Sequence, residues 1–101
     1  MTSEPTCRDT LTVESANGLH LVPCSQIARV AGSFPGSVTL RNGDKVADAK
    51  TILEIVSLVA SQGTVLEVEA CGKGCEVVVA ALRDLFAAGF PTGEAAAGSD
   101  A

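Results

Sequence analysis

The chain has 101 residues, enough for one small domain with a thin core. Apolar residues make up 47% of it but aromatic residues only 3%, so the core must be built from Val, Leu, Ile and Ala around Phe34, Phe86 and Phe90. Seven Lys and Arg against twelve Asp and Glu give a net charge of −5, and no basic run appears; this excludes a nucleic-acid backbone as the expected partner. No stretch approaches the ~18 apolar residues of a membrane span.

The N-terminal residues, Met1 to Asp9, are polar and carry no apolar signal core. The four cysteines, Cys7, Cys24, Cys71 and Cys75, are therefore read as reduced thiols in a cytoplasmic protein rather than as a disulfide framework. Residues 1–10 are expected to form a flexible tail, 11–90 the domain, and 91–101, reading PTGEAAAGSDA after position 90, a disordered tail.

Within the domain, Leu11 to Glu14 alternates apolar and polar and predicts a first strand, broken by Asn17-Gly18. Cys24, Ile27, Ala28 and Ala31 fall at i, i+3, i+4 and i+7, which puts them on one face of a helix. Pro23 is tolerated only in a first turn, so this helix must start close to His20, and Gly32 and Pro35 end it. Ser37 to Arg41 is a second strand, Asn42-Gly43-Asp44 a hairpin turn, and Lys45 to Ala47 the return strand. Thr51 and Glu54 have capping-box spacing at the head of a second helix, whose inward stripe is Ile52, Ile55, Val56 and Val59. Thr64 to Ala70 is a fourth strand. A last helix from about Glu76 carries Val78, Ala81, Leu82 and Leu85 on one face.

The order is βαββαβα. Four short strands and three one-faced helices predict an α+β fold with a mostly antiparallel sheet and the helices over one side.

One histidine is present. Imidazole is nucleophilic near neutral pH. At a helix start it would sit beside unpaired N–H groups and the positive end of the helix dipole, the environment a phosphoryl group needs. A lone histidine in this place is also an ordinary capping or surface residue, and position alone favours that reading. Cys24 fits the buried stripe of its helix. Cys71 and Cys75 lack the paired spacing of a four-ligand zinc set, so no metal site is assigned.

The segment Asn17-Gly18-Leu19-His20-Leu21-Val22-Pro23 resembles the phosphohistidine motif of the HPr family, carriers of the bacterial phosphoenolpyruvate-dependent sugar phosphotransferase system. Phe34, Asn42-Gly43, Ala49-Lys50-Thr51-Ile52, Leu58, Gln62-Gly63-Thr64, Gly72 and Leu82 also fall where that family has similar residues, without gaps from about Leu11 to Ala88. The resemblance implies an open-faced β-sandwich. It implies that Nδ1 of His20 accepts a phosphoryl group from enzyme I and passes it to an enzyme IIA domain, as a carrier intermediate rather than a stand-alone enzyme. No cofactor is implied. The main-chain N–H groups of Leu21, Val22 and Cys24 would stabilise the phosphate.

The family motif has an arginine where this chain has Val22. A charged hydrogen bond to phosphate is worth ~1.5–3 kcal/mol, or roughly ten- to a hundredfold in rate. Thr51 stands where the family has a regulatory serine that HPr kinase phosphorylates; a threonine there is equally a plain N-cap. Ile52 and Leu53 match apolar positions that dock enzyme I and enzyme IIA. The expectation is a phosphocarrier. The alternative is an adaptor that acts by protein docking and Thr51 phosphorylation, with weak or no transfer.

Overall fold

The computed structural model describes residues 4–91. The elements run β1 (Thr6–Thr12), α1 (Leu21–Gly32), β2 (Ser37–Asn42), β3 (Lys45–Asp48), α2 (Ile52–Val56), β4 (Val65–Cys71) and α3 (Cys75–Ala87). This is the expected βαββαβα order. The strands form one antiparallel sheet in the order β1-β4-β2-β3, with β1 and β3 at its edges.

Alternation decides which side of the sheet is covered. In β4, Leu66, Val68 and Ala70 are buried while Val65 and Glu67 are exposed, with Glu69 and Cys71 half-buried. The inward set meets Pro23, Cys24, Ile27 and Ala31 of α1, Ile55 of α2 and Val78, Val79, Leu82 and Phe86 of α3 in one core. The opposite face is polar, and Glu69 there pairs with Arg8 at 3.2 Å and with Arg41 at 4.0 Å. Such exposed pairs contribute little to stability, so the apolar layer holds the fold.

The first strand begins at Thr6, well before Leu11. The tail expected over 1–10 is therefore corrected: Thr6 to Thr12 pairs along its whole length with β4, from Thr6 opposite Cys71 to Thr12 opposite Val65. Residues 1–3 lie outside the described residues, as does the expected C-terminal tail apart from Pro91. Cys7, Asp9 and Leu11 share the inner side of β1. A carboxylate at an inward position hides the strand's period. Arg83 of α3 accounts for it: Nε donates to the Asp9 carboxylate at 2.9 Å and a second guanidinium nitrogen pairs with the same oxygen. Arg83, with the Thr10 N–H, holds the Asp9 carboxyl below its ordinary value.

Two further expectations change. Cys7 and Cys75 are not reduced thiols but are joined as a disulfide, with Cα atoms 5.8 Å apart. The early start of β1 brings Cys7 over the head of α3. Cys24 and Cys71 are free. In α2 the inward stripe fails after Ile55. The helix ends at Val56 with i to i+3 bonds, Leu58 N–H to Ile55 O and Val59 N–H to Val56 O, which tighten its last turn. A three-residue turn places Leu58 under Ile55, so Leu58 is buried and Val59 points out at φ 52°.

Cys24 is fully buried and its thiol donates to Leu19 O at 3.5 Å. Burial pushes the thiol from 9.0 up to about 11. The folded state thus keeps a proton that the unfolded chain releases above pH 9. Stability should fall as pH rises between about 9 and 11. Urea midpoints over that range should decline more steeply in the native chain than in Cys24→Ala.

Candidate functional site

His20 stands where the chain turns from extended backbone into α1. It is the N-cap residue, at φ −86° and ψ −168°, and its carbonyl accepts the first helical bond from Cys24 N–H at 3.1 Å. Its side chain makes no capping hydrogen bond, and the residue is exposed. The imidazole is thus left free, unlike a histidine whose role is to close the helix.

The preceding turn is fixed from outside the helix. Leu19 N–H donates to Ala60 O at 2.9 Å, and Ser15 and Gly18 are linked by Gly18 N–H to Ser15 O at 3.0 Å and Ser15 Oγ to Gly18 O at 3.1 Å. Gly18 has φ +69°, and a Cβ there would come within 2.5 Å of Ala60 O. Both the backbone sign and the space require glycine. Ala60 is held in turn by the segment after α2, where Leu58 O accepts from Asn42 Nδ2 at 2.9 Å. Sequence reasoning missed this support, because nothing in Ala60 itself marks it as a carbonyl that two residues of another loop lean on.

The first N–H groups of α1 directly follow His20 in the chain. Those of Leu21 and Val22 have no intrahelical partner, and Pro23 has no N–H. The third group expected to face a phosphate, Cys24 N–H, is already committed to His20 O. Two donors are therefore open, where three were expected. The Leu21 and Val22 side chains are 61% and 42% exposed and make an apolar collar on the same turn.

No Lys or Arg occurs between Arg8 and Arg29 in the chain. Arg29 lies in the last turn of α1, nine residues beyond His20, which is ~13 Å along the axis and half a turn round. Arg8, Arg41 and Arg83 are paired with carboxylates, and Lys50 Nζ donates to Phe34 O at 2.6 Å.

Thr51 is the exposed N-cap residue of α2, and its hydroxyl makes no capping bond. The expected capping box does not form. Thr51 N–H is taken by Asp48 O at 3.0 Å, so Glu54 reaches past it and accepts from Asp48 N–H at 2.8 Å. Ile52 is half-buried against the core, while Leu53 is 77% exposed on α2, which packs beside α1. Cys7, Cys75 and Glu76 are the one group of potential metal ligands found among the described residues, and its two sulfurs are bonded to each other. No described helix is long and apolar enough to cross a membrane.

The family model for the PTS HPr component phosphorylation site matches residues 7–88. The chain belongs to the HPr family. It is 36% identical to phosphocarrier protein HPr of Haemophilus influenzae over 59 residues, covering 58% of this chain and 69% of that one. It is 30% identical to phosphocarrier protein NPr of Escherichia coli K12 over 86 residues, 84% of this chain and 96% of the relative. Among solved structures, HPr of Thermoanaerobacter tengcongensis superimposes with a TM-score of 0.80 at 31% identity, covering 83% of this chain and 94% of that one. The family is one of phosphotransferase-system phosphocarriers, whose partners are other proteins of that system.

The close approach of Gly18 to Ala60 sets the turn that presents His20. Gly18→Ala should cost about 1–3 kcal/mol. Thermal unfolding would measure it, and the His20 ring resonances should shift in the folded variant.

Proposed function

We propose that His20 is the phosphoryl-carrying residue, charged by enzyme I and discharged to an enzyme IIA domain, in the cytoplasm of a bacterium. The observation that carries this reading is the exposed, uncapped imidazole of the N-cap residue beside the open Leu21 and Val22 N–H groups. In the charging step, Nδ1 attacks the phosphorus of a donor phosphohistidine. The N–P bond to the donor breaks as the N–P bond to His20 forms, and the donor imidazole leaves as the neutral ring once protonated. Discharge runs the same exchange with the acceptor's histidine. Positioning and charge stabilisation do most of the work in such a loose transfer state.

Two N–H donors and the helix dipole would share the phosphoryl charge here. The valine at position 22 removes the cation that the family motif places there. The carrier is thus expected to work at a reduced rate. The exposed Leu21, Val22 and Leu53 supply apolar surface for docking the phosphotransferase partners, with Ile52 beneath.

A second reading rests on Thr51. Its exposed, unbonded hydroxyl at the start of α2 is open to a kinase of the HPr kinase type, and a phosphate there would add charge next to Leu53. This would make the chain a regulated adaptor.

Phosphorus NMR with phosphoenolpyruvate and the cognate enzyme I tests the carrier. A phosphohistidine signal is expected, absent in His20→Ala. Val22→Arg should speed transfer by roughly ten- to a hundredfold. An unphosphorylated native protein under conditions that charge an ordinary HPr would contradict the carrier and leave the Thr51 reading.

A further inference from the structure

The end of the sheet where β1 begins and β4 ends carries chemistry that His20 does not use. Three of the four cysteines gather there, and the fold sorts them. Cys7 lies opposite Ala70 on the inner side of β1, whereas Cys71 lies opposite Thr6 on the outer side, with Sγ 3.6 Å from Thr6 Oγ1. Cys75 is the first residue of α3 and is fully buried beneath the sheet's inner face. Cys7 and Cys75 alone share a face, and they are bonded. Cys24 is enclosed in the core with its thiol on Leu19 O.

We propose that Cys7 and Cys75 form a reversible thiol–disulfide couple that locks the edge strand β1 onto α3 when oxidised and frees it when reduced. β1 is an edge strand, paired on one side to β4 and open on the other, so the bond to Cys75 adds a covalent tie from its start to α3. The bond spans 68 residues of chain, and a cross-link over so long a loop restricts the unfolded state strongly.

The exchange partner is a small thiol and its disulfide, of which glutathione is the type. Cys7 is half-buried and Cys75 fully buried, so the incoming thiolate attacks Cys7 Sγ. The Cys7–Cys75 bond breaks, a mixed disulfide forms on Cys7, and Cys75 leaves as a thiolate. It leaves at the head of a 13-residue helix, where the Glu76 N–H has no intrahelical partner. A second thiolate attacks the small-molecule sulfur of the mixed disulfide and releases the Cys7 thiolate. Two thiols become one disulfide, and the protein gains two electrons and two protons. Oxidation by the small disulfide is the reverse.

Glu76 tunes the rate. Its carboxylate lies within 4.8 Å of both sulfurs, where its charge opposes an approaching anion and a departing thiolate.

The test is equilibration of the full chain in glutathione buffers from fully reduced to fully oxidised, then trapping of free thiols by alkylation under denaturing conditions and peptide mass mapping. Cys7 and Cys75 should become protected together in one two-electron transition, while Cys24 and Cys71 are alkylated throughout. The oxidised form should melt about 10 °C or more above the reduced form. Cys7→Ser should abolish that response and Cys71→Ser leave it intact. Glu76→Gln should speed reduction by glutathione roughly two- to fivefold. Cys7→Ser replaces a half-buried thiol with a close isostere and should keep the fold. A bond that survives every buffer, a bond that forms in none, or a melting temperature indifferent to redox state would each overturn the proposal. The outcome is separate from that of His20 charging, because Cys7 opens β1 whereas His20 follows its far end, and the intervening strand is ~17 Å long.

Discussion

The contact between Gly18 and Ala60 governs how this molecule presents its histidine. The carbonyl of Ala60 receives the Leu19 N–H, and the absent Cβ of Gly18 lets the two segments meet. That contact ties the start of α1 to the segment following α2. With the turn fixed, the next residue must be the N-cap of α1, because Pro23 can stand only in the first turn. The imidazole then projects to solvent while its own carbonyl closes the first helical bond. The sheet and the core behind it serve as the rigid mount for this turn.

The electrostatics of the site follow from the same geometry. A helix start supplies four unpaired N–H groups in principle. Here they are those of residues 20 to 23, of which Pro23 has none; Cys24 N–H, the next along, is taken by the His20 carbonyl, so beyond the histidine itself those of Leu21 and Val22 are left. The side chains of those two residues add no charge. A phosphoryl group on His20 would therefore be held by two main-chain donors and a helix dipole in a protein of net charge −5. The first turn of α1 carries no Lys or Arg, so a cation at the transfer state is expected from the partner protein. The apolar collar of Leu21 and Val22 suits that arrangement, since a docked partner would exclude water and strengthen each remaining polar contact.

Much of the fold was legible in the sequence, and the exceptions have physical causes. The limits of α1 could be read because Gly18, Pro23 and Gly32 punctuate it, and the β2–β3 hairpin because Asn42-Gly43 demands it. The start of β1 could not be read, since the inward Asp9 breaks its alternation and only Arg83, more than seventy residues away, explains that charge. The stripe of α2 went wrong after Ile55 because the periodicity argument assumed 3.6 residues per turn, and the last turn is tighter. The disulfide was invisible because it depends on the register of β1 against β4. At the site, the motif around His20 revealed the histidine and the missing arginine. It could not reveal that Cys24 N–H is occupied or that Glu54 caps Asp48 instead of Thr51, because each depends on which neighbouring group reaches the donor first.

The central claim is that a phosphoryl group on His20 rests on the main-chain donors of the first turn of α1. Amide proton–nitrogen correlation spectra of the uniformly labelled protein, recorded before and after charging, test it most directly. The account predicts strong downfield shifts of the Leu21 and Val22 amide protons, with that of Cys24 far less affected because it remains bonded to His20 O. A charged protein in which the Leu21 and Val22 amides do not move would contradict it.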